Sequence, residues 1–198
     1  MTLGELVTAF AATGLAAILV AVFRREAARR AAQRRALTAA LQEVLTNITV
    51  TTLPSGYEKV TGTWQGWTVI IEPIVDTLAV RKLPALWLAI TMPSALPVRA
   101  SFDLMMRPTG TEIFSGFRDL PVAVVRPPGF PEEAQIRTDH IEGMPDERVI
   151  ARHLGPFEDG TAKELLIMPH GLRTVWLAGE AARGQYLIFR DAEFGAKT

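Results

Sequence analysis

The sequence contains no cysteine. That excludes disulfides, thiolate metal sites and cysteine nucleophiles, and it leaves the compartment unassigned. Histidine is nearly as scarce. His140, His153 and His170 are the only three, and they lie in separate contexts without H-x-H or H-E-x-x-H spacing, so no metal site is expected. The chain has no G-x-S-x-G elbow, no Walker loop and no G-x-G-x-x-G, which removes the common signatures of acyl transfer and nucleotide binding. Gly110, Gly116, Gly129, Gly143 and Gly155 fall at turns and follow no phosphate-cradle spacing. The acidic pairs Glu132-Glu133 and Asp146-Glu147 adjoin prolines and read as solvated caps. Asp76 and Asp103, in strand-rich stretches, are the acids least easily explained. Arg81 or Lys82 and Arg107 stand near them in sequence as neutralising partners. No catalytic residue and no cofactor is expected.

Charge of either sign is missing from one long stretch. Leu6 to Phe23 is eighteen residues, LVTAFAATGLAAILVAVF, with none. As a helix it spans about 27 Å, close to a ~30 Å hydrocarbon core. A secretory signal carries its basic residues before the apolar run. Here Met-Thr-Leu-Gly-Glu precedes it, and Arg24, Arg25, Arg29, Arg30, Arg34 and Arg35 follow, opposed by Glu26 alone. The pattern predicts a retained transmembrane anchor at 1–23. By the positive-inside bias its N-terminus lies outside and the remainder is cytoplasmic, as in a bacterial inner membrane. The six arginines suit anionic lipid headgroups or an acidic partner. Ala9, Thr13, Ala17 and Ala21, with Gly14 beside them, form a small-residue stripe of the kind that admits a neighbouring helix.

Residues 24–46 contain strong helix formers and no Gly or Pro, so the helix should continue as a basic juxtamembrane rod. Leu37, Leu41, Val44, Leu45 and Ile48 would share one apolar face of it. The remaining 163 residues hold 15 basic and 19 acidic groups, a poor balance for nucleic-acid binding.

Residues 47–198 read as one cytoplasmic α+β domain, mainly antiparallel, with two short helices and a C-terminal hairpin. Asn47–Gly56 reads as a connection. Tyr57–Trp64 and Trp67–Glu72 flank a Gln65-Gly66 turn as a hairpin, and Pro73 should end that strand's pairing or sit at an edge. Leu86–Thr91 and Val98–Met106 are further strands. The proline-rich stretch 109–143 reads as a long surface excursion, with Phe114, Phe117 and Phe130 anchoring it to its own core or to a partner. Helices are expected at Asp146–Leu154 and from Thr161 into Leu165–Met168, the second on a capping-box pattern. A terminal hairpin then pairs Leu172–Leu177 with Gln185–Arg190. Trp64, Trp67, Trp87 and Trp176 fall on strands and are expected in the core.

Four features carry a resemblance: Gly62-Thr-Trp-Gln-Gly66 between two strands, an apolar strand closed by Met92-Pro93, short helices with Leu165-Leu166, and the terminal hairpin. Over residues 56–190 this order resembles a group of uncharacterised bacterial single-pass membrane proteins with a G-x-W-x-G strand-hairpin α+β domain. The resemblance supports the fold and implies no activity and no catalytic residues. The expected role is a non-catalytic accessory subunit of a multi-subunit inner-membrane complex, respiratory, photosynthetic, secretory or transport, held against a larger membrane protein. The alternatives are a membrane-tethered enzyme or small-ligand sensor, and self-association into a homodimer.

Overall fold

A computed structural model describes residues 3–77, 83–109, 112–181 and 194–196; within helix α1 the side chains of 3–9, 11, 12, 26, 27, 29, 30, 33, 34, 36 and 37 lie outside the description. The chain divides into two compact units, Met1–Glu43 and Val44–Thr198.

The first unit is one continuous helix, α1 (Leu3–Gln42). It ends four residues short of the expected Thr46, because the β-branched run that follows pairs as a strand. Val44 and Ile48 therefore leave the helical apolar face: Val44 is exposed and Ile48 lies on strand β1. Phe10, Leu15, Ile18, Leu19, Val20, Val22 and Phe23 are all exposed, from 53% at Val20 to 84% at Phe10. Among the described residues no helix is long and apolar enough to cross a membrane.

The second unit is a mostly antiparallel β-sheet with a few short helices. Its strands are β1 (Thr46–Thr52), β2 (Glu58–Trp64), β3 (Trp67–Asp76), β4 (Ala85–Pro93), β5 (Phe102–Met106), β6 (Val122–Val124), β7 (Ala134–Thr138), β8 (Ala162–Met168), β9 (Gly171–Ala181) and β10 (Phe194–Ala196). The order is β1-β2-β3-β4-β9-β8-β5-β7-β6, with β10 on β9. The first four strands form a meander. The β8–β9 hairpin, made late in the chain, then slots between β4 and β5.

Several elements differ from expectation. The Asn47–Gly56 connection is largely β1, whose threonines are β-branched and pair with β2. Pro73 does not end β3. Pairing with β2 stops at Val60↔Ile71, but pairing with β4 runs on through Pro73↔Leu88 to Asp76↔Ala85, consistent with a residue that has no N–H to give. The stretch 109–143 is not structureless. It contains a 3-10 turn at Phe117–Asp119 and strands β6 and β7, with β7 seated between β5 and β6. Its prolines sit outside the paired segments, at 121, 127, 128 and 131.

The segment expected to be a helix from Thr161 is β8. Thr161 bonds back to Asp159 Oδ1 through its amide (2.9 Å) and hydroxyl (2.6 Å), closing a turn after α3 (Gly155–Glu158). Leu165–Ile167 then pairs on both sides, and Met168 with β9. Helix α2 (Glu147–Ala151) stands where expected, but is shorter. Asp146 caps it, accepting from Arg148 N at 2.8 Å. The expected terminal hairpin has its first arm in β9; residues 185–190 lie outside the described residues, and β10 pairs β9 instead.

Strand β5 is buried at every position, so its two faces build two cores. Phe102, Leu104 and Met106 face a cluster with Phe130, Ile136, Ile150, Leu154 and Phe157. Met105 faces the other way, with Ala89, Val175, Phe114 and Phe117. The three phenylalanines offered as loop contacts are thus interior residues, each 4–5% exposed, because a loop of this size packs its own aromatics. Trp87 and Trp176 are half-buried. Trp64 and Trp67 pair across the Gln65-Gly66 turn and are 41% and 50% exposed, contrary to the core expectation. Gln65 (φ 49°) and Gly66 (φ 86°) both take the left-handed conformation that a two-residue hairpin turn requires.

Candidate functional site

Side chains directly opposite across an antiparallel ladder share a face of the sheet. The register therefore places Thr91, Arg173, Leu166, Asp103 and Arg137 in one row across β4, β9, β8, β5 and β7. The adjacent row on the same face holds Ala89, Val175, Glu164, Met105 and Gln135. Two carboxyls and two guanidinium groups are thus gathered on one face of a central sheet.

The carboxyls are deeply buried: Asp103 is 1% exposed and Glu164 is 0%. Arg173 Nη1 lies 4.0 Å from Glu164 Oε2, too far for a hydrogen bond. Among the described residues Glu164 Oε1, Glu164 Oε2 and Asp103 Oδ1 have no hydrogen-bond partner, nor has Trp87 Nε1. Burial, then the neighbouring Glu164 charge, push the Asp103 carboxyl up to about 8 against the partial opposition of Arg173. Burial also raises Glu164. The Ser115 hydroxyl and Arg173 hold it back, the latter joined by Lys163, while Glu112 pushes it further up. The Ser115 oxygen accepts from Phe117 N at 3.0 Å, which leaves its O–H to face Glu164.

A β-bulge completes the cluster. The β8–β9 register shifts between Ala162 and Glu164, leaving Lys163 as an extra residue, and such a residue is re-aimed. Lys163 Nζ donates to Met106 O (2.6 Å) and Arg107 O (2.8 Å), and lies 3.6 Å from Glu112 Oε1. Glu112 Oε1 also accepts from the Thr109 amide and hydroxyl, at 2.6 and 3.0 Å. On β7, Arg137 turns away from Asp103. Its Nε donates to Leu120 O at 2.7 Å, and its guanidinium lies 5.9 Å from the Phe117 ring centre. The segment Glu112–Leu120 consequently lies over this face as a strap. Phe114 packs on Trp87 with ring centres 5.1 Å apart. Beside the strap, Pro108, Phe117, Arg118, Gln135 and Arg137 line an open groove of about 460 Å³.

Arg107, the partner expected for Asp103, instead pairs Glu133 at 3.0 Å. The charged neighbours of Asp103, Glu164 of β8 and Arg173 of β9, come about sixty and seventy residues later, and no local spacing announces them. Thr13, Gly14, Ala17 and Ala21 lie exposed on α1; the side chain of Ala9 is outside the described residues. Arg24, Arg25 and Arg35 are exposed, and the side chains of Arg29, Arg30 and Arg34 are outside the description. His140, His153 and His170 are exposed at separate positions, and among the described residues no group of three or more acidic or histidine side chains is arranged to hold a metal. Comparison with family models, curated proteins and solved structures finds no match to this chain.

Proposed function

We propose that this chain is a single-pass, membrane-anchored accessory subunit of a larger inner-membrane assembly, non-catalytic, with its β-sheet unit on the cytoplasmic side. One observation carries the reading. Large apolar side chains of α1 between Phe10 and Phe23 are exposed around the full circumference of the helix. A helix apolar all round belongs in a protein core or in lipid. The arginines that follow set the orientation and favour anionic headgroups or an acidic partner surface. The small-residue stripe offers the approach for a partner helix, and the exposed Trp64–Trp67 pair offers the sheet unit a contact of the aromatic kind enriched at interfaces.

The reading as a tethered enzyme or ligand sensor asks for a pocket holding two groups with perturbed titration. Asp103 and Glu164 have the perturbation, but they are sealed at 0–1% exposure, so a substrate has no access to them in this conformation.

The test begins with alkaline carbonate washing of membranes containing the full chain. It should remain in the pellet, and release into the supernatant removes the anchor. Mild-detergent extraction, a native gel and cross-linking mass spectrometry should then place the chain in a large assembly. Thr13→Leu and Ala17→Leu should detach it, and unchanged co-migration of both variants counts against the helix-stripe contact.

A further inference from the structure

We propose that the strap Glu112–Leu120 is a proton-controlled cover over the Asp103–Glu164 pair, seated while the two carboxyls retain one proton between them and lifted when both are ionised.

The geometry of the strap supplies the device. It is pinned at both ends and seated in the middle. At one end Glu112 is held by Lys163 Nζ and by the Thr109 amide and hydroxyl. At the other, Arg137 Nε holds Leu120 O. Between the pins, Phe114 and Phe117 fill the apolar floor with Met105, Ala89 and Val175, and Ser115 stands beside Glu164. The strap brings one donor near the pair, the Ser115 hydroxyl beside Glu164, and no hydrogen bond of standard geometry closes on Glu164 Oε1, Glu164 Oε2 or Asp103 Oδ1.

The charges around the pair do not balance. Facing it are Lys163 from β8, Arg173 from β9 and Glu112 from the strap, while Arg137 of β7 is turned toward Leu120 and Phe117; Arg118 and Asp119, on the 3-10 turn, are exposed. Lys163 is committed to Glu112 and two carbonyls, and Arg137 to Leu120 and Phe117. Among the described residues Arg173 is the cation left for two carboxylates, at 4.0 Å from one of them. One proton on the pair cancels the excess negative charge. Without it, an uncompensated anion is sealed in an apolar chamber, an arrangement that proteins relieve by admitting water. The strap is the cover that can move without breaking strand pairing, and lifting it would uncover an anionic, aromatic-lined face that is closed at lower pH.

The experiment is hydrogen–deuterium exchange of the full chain in mild detergent between pH 6 and 9, corrected for the intrinsic pH dependence of amide exchange. Corrected exchange across 112–120 should accelerate by up to roughly tenfold per pH unit and level off above about 8, as one proton linked to opening requires. Asp103→Asn, which keeps the shape and cannot ionise, should flatten the profile. Glu164→Gln should flatten it as well, and decides the matter if the first variant fails to fold. A flat profile in the unaltered chain overturns the proposal, as does an unchanged slope in either variant. Trp87 emission gives a second readout, shifting red with opening because Phe114 leaves its ring.

Discussion

At the scale of single residues, Asp103 and Glu164 set the pH behaviour of the sheet unit. The folded chain holds the Asp103 proton up to about 8, whereas the ordinary value is 3.8. A group raised in this way stabilises the fold fully below about pH 4, and that stability is lost as pH rises toward 8. Thermal melts of the full chain should therefore show Asp103→Asn gaining on the unaltered protein from pH 5 to pH 8, with the difference constant above that. Arg173→Met removes the cation left to the pair among the described residues. It should cost toward the lower end of about 3–5 kcal/mol near pH 8, since Arg173 is partly exposed and its ion pair is long. Adding Glu164→Gln should recover much of that loss, and equal instability with and without it would separate Arg173 from the carboxyls. Asp103 stood out in the sequence as an unexplained acid on an apolar strand. Its partners did not, because Glu164 and Arg173 meet it only through the register of a hairpin formed far downstream.

At the scale of elements, the strap and the inserted hairpin make distinct demands. Phe114→Ala opens a cavity against Trp87 and should destabilise by about 3–5 kcal/mol, read by chemical denaturation. Gly171 opens β9 after the Pro169-His170 turn, where an added Cβ would lie 2.9 Å from Met92 O and 3.4 Å from Pro93 Cα. Both are backbone atoms, so Gly171→Ala should cost about 1–3 kcal/mol. An unchanged melting temperature would mean that the β8–β9 hairpin tolerates displacement from β4. The β2–β3 hairpin and β4 were legible because alternation, a two-residue turn and bounding prolines all agree there. Strand β8 was misread because Thr161-Ala-Lys-Glu164 fits a helix cap, and a bulge at Lys163 breaks the alternation that would have announced a strand. Strands β6 and β7 hid among prolines that bracket them without entering their ladders.

At the scale of the whole chain, the two units separate what the sequence displays from what it conceals. The uncharged run, the arginine cluster and the continuous helix could be followed by counting along the chain, because a helix is a local structure. The sheet's order depends on contacts between distant segments, and the candidate site depends on that order. The inserted hairpin has a consequence for biogenesis. Until residues 162–181 have been synthesised, β4 and β5 each present a bare edge to the other's missing neighbour, and unpaired edges invite pairing with other chains. Ribosome-bound chains stopped before residue 160 should be captured by holdase chaperones, and chains extended past residue 181 should be released.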